Sequence, residues 1–443
     1  MCIAEHVSPK AFAVGFKDLE TWSVSAQYAV KWNWPKEIIE PLGKTLIRHR
    51  ESVLEILPPD AMVTLLTIHF DGSIEPRELV RINDIKGKLF RVNPGDVIFS
   101  KIDVRNGAIG LAPVNIDYMC ATSEFPIYSV KTDRVLSEYV KLLFRSTIFN
   151  RLLNSMISGT SGRKRIQPSQ LEMVKIPVPP MRVQKKIVDY WRFAEQQKKD
   201  ADKSLDDLVS ELHSSLVKRT NAYGQVTNSK FFLANYAQLQ QWDAKAGRAA
   251  AFISANPYFV RLGDYTEECS ETVRPWEDPI KEWPIYGVNN KEGVFLNTKQ
   301  IGSKFNAPYK RIEKNWFFHN PTRANVGSLG IVPEVPDDAI TSPEYQVWRL
   351  KSGYLPNFMA LMIRTHYFLS LVAFNRVGAV KQRMYYGNLA EIRLPVVDLK
   401  IQQHYAEQRR VVLDRISNAN AMLIQRKLEI EKMILGVKSV EDI

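Results

Sequence analysis

Cysteine is nearly missing from this sequence. Cys2, Cys120 and Cys269 are far apart and form no CxxC pair. That spacing offers neither a disulfide framework nor a cysteine-ligated zinc site, and the three read as buried thiols in a reducing cytoplasm. Long apolar runs are also lacking, since none nears the ~18 residues that a membrane span requires, and no basic-then-apolar signal segment opens the chain. A soluble cytoplasmic protein with no membrane partner is expected.

Catalytic signatures are missing as well. Gly43-Lys44-Thr45 has the ending of a P-loop, but Ile38 stands where the motif needs its first glycine. Asn256-Pro257-Tyr258 and Asn320-Pro321-Thr322 each lack the second proline of the amino-methyltransferase tetrapeptide. No GxGxxG follows a strand, no HExxH or carboxylate cluster accompanies the seven scattered histidines, and no GxSxG elbow appears. Catalytic residues and metal ligands of the chain's own are therefore expected to be none, and no cofactor is expected on it.

What is present begins with charge. Sixty Lys and Arg against forty-eight Asp and Glu leave +12, a surface suited either to a polyanion or simply to solubility. At 443 residues the chain exceeds the ~250 to 300 at which single cores stop growing, so two or more domains are expected.

The two halves then match each other. Trp22 corresponds to Trp242 and Leu42-Gly43 to Leu262-Gly263. Arg105-Asn106-Gly107-Ala108-Ile109-Gly110 faces Arg323-Ala324-Asn325-Val326-Gly327-Ser328-Leu329-Gly330, and Thr122-Ser123 faces Thr341-Ser342. Leu171 to Val178 faces Leu389 to Val396, and Gln184 faces Gln402. Collinear matches at a nearly constant separation are the mark of an internal duplication.

Within each half, roughly 20 to 180 and 240 to 398, short β-branched and aromatic runs such as Val97-Ile98-Phe99-Ser100, Phe125-Pro126-Ile127-Tyr128 and Tyr345-Gln346-Val347-Trp348 read as strands. Helical stretches at 138 to 157 and 357 to 374 make the fold α+β. Pro177-Val178-Pro179-Pro180 closes a strand and opens a long helix from 184 to about 219. Its seam is Ala194, Ala201, Leu205, Leu208 and Leu212, and the second copy carries Val412, Ala419, Leu423, Arg426 and Ile430. This spacing fits either a coiled coil of the two copies or single amphipathic helices lying on a core. The expected division is a first domain over 1–180, a first long helix over 181–220, a second domain over 221–398 and a second long helix over 399–443. The two helices are expected to run antiparallel.

Two kinds of segment suit DNA. Gly159-Thr160-Ser161-Gly162 precedes Arg163, Lys164 and Arg165, and Gly378-Ala379-Val380 precedes Lys381, Gln382 and Arg383. Lys and Arg neutralise phosphate, and Arg or Gln reads base edges; the alternative is a solvated basic loop. Arg105 with Asn106, and Arg323 with Asn325, sit in glycine-punctuated turns. They are either base readers or ordinary turn residues, as are Asn289 and Lys291.

Taken in order, Gly-Thr-Ser-Gly-Arg-Lys-Arg-Ile, then Leu-x-x-Val-Lys-Ile-Pro-Val-Pro-Pro-Met-x-x-Gln-x-x-Ile and a long helix, all repeated, resemble the specificity subunits of type I restriction-modification systems. The second copy is looser, with Val397-Asp398 in place of the paired prolines. The resemblance implies two target recognition domains that each read half of a split, asymmetric site on double-stranded DNA. It implies two methyltransferase subunits that bind S-adenosylmethionine and methylate adenine, and restriction subunits, where a system has them, that use ATP and Mg.

Overall fold

The computed structural model describes residues 32–155, 165–220, 231, 236–238, 247, 259–378 and 381–442. The chain divides into two compact units: Met1–Gln197 with Asn420–Ile443, and Lys198–Ala419. Each is a mixed α/β body.

The first unit carries a four-stranded antiparallel sheet in the order Leu46–His49, Ile127–Val130, Val97–Phe99, Ile109–Leu111. A second sheet runs Ile74–Arg81, Met62–Ile68, Met119–Thr122, Leu89–Arg91, with its central pair parallel. Ile39–Pro41 pairs with Lys175–Pro177. Strands form here because β-branched and aromatic side chains pack well on a pleated surface. Phe99 stacks on Tyr128, and both side chains are buried.

The second unit orders its four-stranded sheet Thr266–Glu268, Gln346–Leu350, Phe317–His319, Leu329–Ile331. Its other sheet has five strands: Thr272–Val273, Tyr309–Arg311, Ile340–Thr341, Glu282–Asn289 and Gly293–Ile301. Phe259–Arg261 pairs with Arg393–Pro395. Phe317 stacks on Trp348 with centroids 4.5 Å apart, in a fully buried core.

The helical stretches expected at 138 to 157 and 357 to 374 are each two helices. They are Ser137–Arg145 and Thr147–Ser155 in one unit, Pro356–Met362 and His366–Asn375 in the other. The break has one cause in both. Ser146 and Thr365 are extended, each hydroxyl donating back to the carbonyl of Leu143 or Met362 and accepting from Phe149 N or Phe368 N. A hydroxyl that caps a new helix competes with continuation of the old one.

The long helices are Met181–Thr220, of 40 residues, and Leu399–Leu435, of 37. The first begins before 184, and the second, expected over 399–443, ends at Leu435. At ~1.5 Å per residue they measure about 60 and 55 Å. In the first unit Ile187 and Val188 share a core with Ile430, Met433 and Ile434, and Ala194 is buried. Tyr190 donates to Glu429 at 2.5 Å, and the Arg426 guanidinium lies 4.0 Å from the Tyr190 ring centroid. In the second unit Leu208, Leu212 and Leu216 share a core with Tyr405 and Val412, Leu205 packs against it, and Tyr405 donates to Glu211. Ala201 and Ala419 are buried, while Leu423 is half-buried.

Each long helix is fastened to its own unit by one buried glutamine. Gln184 Oε1 accepts Leu136 N, and its Nε2 donates to Pro179 O and Arg134 O. Gln402 Oε1 accepts Leu355 N, and its Nε2 donates to Val397 O and Gly353 O. The second long helix ends against the start of the first domain: Gly436 has φ +84°, and Asn33 N–H donates to Leu435 O. A side chain at 436 would collide with Asn33 O, which a glycine avoids.

Candidate nucleic-acid interface

In both units the tip of a two-stranded hairpin lies on a glycine turn. Strands Met62–Ile68 and Ile74–Arg81 turn through His69 to Ser73, where Asp71 Oδ1 accepts Ser73 N and Oγ at 2.8 and 2.7 Å. Those bonds hold the Asp71 carboxyl below its usual range. Strands Glu282–Asn289 and Gly293–Ile301 turn through Asn290 to Glu292, where Asn289 Oδ1 accepts Lys291 N and Glu292 N. The Asn289 Nδ2 donates to Glu292, so its carboxamide serves the turn. Lys291 is exposed at the tip.

The turns beneath are Val104–Asn106, closed by Gly107 at φ +99°, and Ala324–Val326, closed by Gly327 at φ +90°. Both glycines occupy the left-handed region that disfavours a Cβ. A Cβ on Gly107 would overlap Phe70 O at 2.1 Å, and one on Gly327 would press Asn290. Close approach of hairpin to turn therefore needs those glycines.

A half-buried arginine locks the first pair. Arg145 Nη1 donates to Gly107 O and Phe70 O, and Nη2 donates to Ile109 O, so one guanidinium ties the turn to the tip. Burial pushes its pKa down. Sequence reasoning missed Arg145; an arginine near a helix end carries no signal for carbonyls 36 to 75 positions away.

In the second unit Arg376 plays a comparable part, its Nη2 donating to Gln382 O at 2.7 Å and Thr322 O at 3.3 Å. Val377 and Arg383 exchange both backbone hydrogen bonds, and Met384 N–H donates to Pro321 O. His319, fully buried below, donates through Nε2 to Met384 O, and burial lowers its pKa to about 4, so it stays neutral.

The second unit therefore gathers Lys291, Arg323 with Asn325, and Lys381 to Arg383 on neighbouring segments. Arg323, Lys291 and Lys381 are exposed and have no ion pair among the described residues. Asn325 and Gln382 are half-buried, and Arg383 Nη1 lies 3.5 Å from Tyr385 Oη. In the first unit Asn106 is exposed and Arg105 half-buried. Arg165 pairs with Glu124 at 3.6 Å, and the neighbouring Ile166 N–H donates to Lys101 O. Arg163 and Lys164 lie outside the described residues, as do Ala379 and Val380.

Among the described residues no three His, Cys, Asp or Glu side chains gather to hold a metal, and no single helix is long and apolar enough to cross a membrane. Burial raises the Cys120 and Cys269 thiols to about 11, which leaves them protonated.

Residues 78–192 match the family described as the type I restriction modification DNA specificity domain. Over 162 residues the chain is 25% identical to the type I restriction enzyme EcoAI specificity subunit of Escherichia coli; the match covers 35% of this chain and 27% of that relative. Among solved structures, the HsdS subunit from Thermoanaerobacter tengcongensis aligns over 91% of this chain and 95% of its own at 15% identity and TM-score 0.32. The type I restriction-modification S subunit from M. genitalium aligns over 92% and 98% at 12% identity and TM-score 0.43.

Proposed function

Starting from the type I DNA specificity domain that this chain carries, we propose that it is the sequence-reading subunit of a restriction-modification complex. It reads a bipartite, asymmetric site on double-stranded DNA, with one target recognition domain for each half. The catalysts are partners: two methyltransferase subunits that use S-adenosylmethionine to methylate adenine, and restriction subunits that use ATP and Mg. The chain contributes recognition and no catalysis, in the cytoplasm.

The observation that carries this reading is the recurrence in two units of a hairpin tip on a glycine turn closed at positive φ, joined in the second unit by the basic segment Lys381 to Arg383. The repeated glutamine and hydroxyl bonds support duplication of the whole domain. Backbone N–H groups and unpaired cations at such loops meet phosphate, while Arg, Asn and Gln read base edges. The long helices act as spacers. Tyr190 meeting Glu429, and Glu211 meeting Tyr405, supports antiparallel pairing, because a higher number on one helix goes with a lower number on the other.

The test is salt-dependent DNA binding by the full chain. Each lost phosphate contact lowers the slope of log K against log salt by about 0.9, so changing Lys291, Arg323 and Lys381 together to Ala should lower it by up to about 2.7. Wild-type binding that ignores salt would overturn the proposal.

A further inference from the structure

The first unit holds a small basic cleft that the hairpin and glycine turns do not use. Arg48 and Arg50 are two residues apart on and just beyond the strand Leu46–His49, so both side chains leave the same face. Lys101 enters from the end of Val97–Phe99, with Ser123 and Phe125 opposite. The space between them is about 70 Å³, room for one tetrahedral oxyanion.

The cations are held in place. Arg50 lies over the Phe90 ring at 4.8 Å from its centroid, and Lys101 Nζ donates to Ser123 O at 2.6 Å. The acids nearby are engaged elsewhere. Asp96 accepts from His49, Ser129 and Asn93 N, Glu51 pairs with Arg91 at 3.5 Å, and Glu124 pairs with Arg165. Arg48, Arg50 and Lys101 have no ion pair among the described residues. The cleft also adjoins the basic segment, because Ile166 N–H donates to Lys101 O.

The second unit lacks the same chemistry at the same places. Glu268 lies opposite Trp348 as Arg48 lies opposite Tyr128, which puts Ser270 where Arg50 stands. Pro321 accepts Met384 N–H as Lys101 accepts Ile166 N–H. Three cations in one half thus correspond to an acid, a serine and a proline in the other.

We propose that the cleft formed by Arg48, Arg50 and Lys101 seats one DNA backbone phosphate, giving the first half-site a contact the second does not have. The inference rests on the DNA-reading function and adds an asymmetry to it. The two halves then differ in electrostatic grip as well as in sequence read.

Duplex DNA binding by the full chain is measured across a salt titration for the wild type, for Arg48→Gln with Arg50→Gln, and for Arg48→Gln alone, whose side chain is exposed. Circular dichroism and melting establish that each variant is folded. The double variant should lower the slope by about 0.9, one phosphate contact. Wild-type binding without salt dependence would defeat the DNA reading itself. A salt-dependent wild type with an equal slope in both folded variants would defeat only the cleft. Inorganic phosphate is added in a parallel melting experiment. If it stabilises the wild type but not the double variant, and the DNA slope is unchanged, the cleft is a free-anion site and the assignment to DNA is overturned.

Discussion

Replacing Gln184 by leucine should loosen the joint between the first long helix and its domain. The wild-type side chain is fully buried and makes three hydrogen bonds, to Leu136 N, Pro179 O and Arg134 O, at 2.9, 2.8 and 3.1 Å. Leucine has a similar volume and forms none of them. Each stranded buried backbone group costs about 1 to 3 kcal/mol, and the extra apolar burial of leucine offsets part of that, so the net loss should be about 2 to 4 kcal/mol. For a unit of this size each kcal/mol lowers the melting temperature by about 2 to 4 °C, which predicts a fall of about 4 to 16 °C. Gln402→Leu repeats the experiment in the other unit, where the partners are Leu355 N, Gly353 O and Val397 O. The assay is calorimetry of the full chain with amide exchange read at Leu136 and Leu355. A shift within error of zero, with both amides still protected, would refute the claim that these glutamines fasten the helices.

Arg145→Met and Arg376→Met should each weaken DNA binding by about tenfold, or ~1.4 kcal/mol, through loss of loop position. Because those guanidiniums are spent on carbonyls, the salt slope should fall by much less than the ~0.9 of a phosphate contact; a full drop would make them direct contacts. The His49 pKa is raised by its hydrogen bond to Asp96, so the stability from that pair is complete below the ordinary pKa near 6.5 and is lost as pH rises through the higher folded value. Melting of the wild type should therefore decline across that window more than melting of His49→Gln, and parallel profiles would contradict it. Replacing residues 20 to 176 with 240 to 394 should convert the site into an inverted repeat of the second half-site at an unchanged spacing, mapped by genome-wide adenine methylation. An active chimera that kept the asymmetric site would remove recognition from these domains.

Periodicity alone carried much of this reading. The short aromatic and β-branched runs, the paired prolines and the three-and-four apolar spacing are local signals, and local signals report strands, helix starts and buried helix faces. The correspondence of Leu42-Gly43 with Leu262-Gly263 and of Gln184 with Gln402 was also plain in one dimension. Their work was not: both glutamines bond backbone some 50 residues away, and only the folded chain brings those carbonyls and amides together. The helix breaks at Ser146 and Thr365 escaped notice for a related reason. A hydroxyl inside an apolar stretch is compatible with an unbroken helix until its capping bonds are seen. Asparagine can read adenine or close a turn, and only the folded hairpin shows Asn289 accepting from Lys291 N and Glu292 N. Composition supplied the excess of positive charge, whereas tertiary structure decided which cations are neutralised or spent on carbonyls, as Arg145 and Arg165 are, and which have no ion pair among the described residues, as with Arg48, Arg323 and Lys381. Charge is a property of the residue, but its availability depends on neighbours that the chain meets only after it folds.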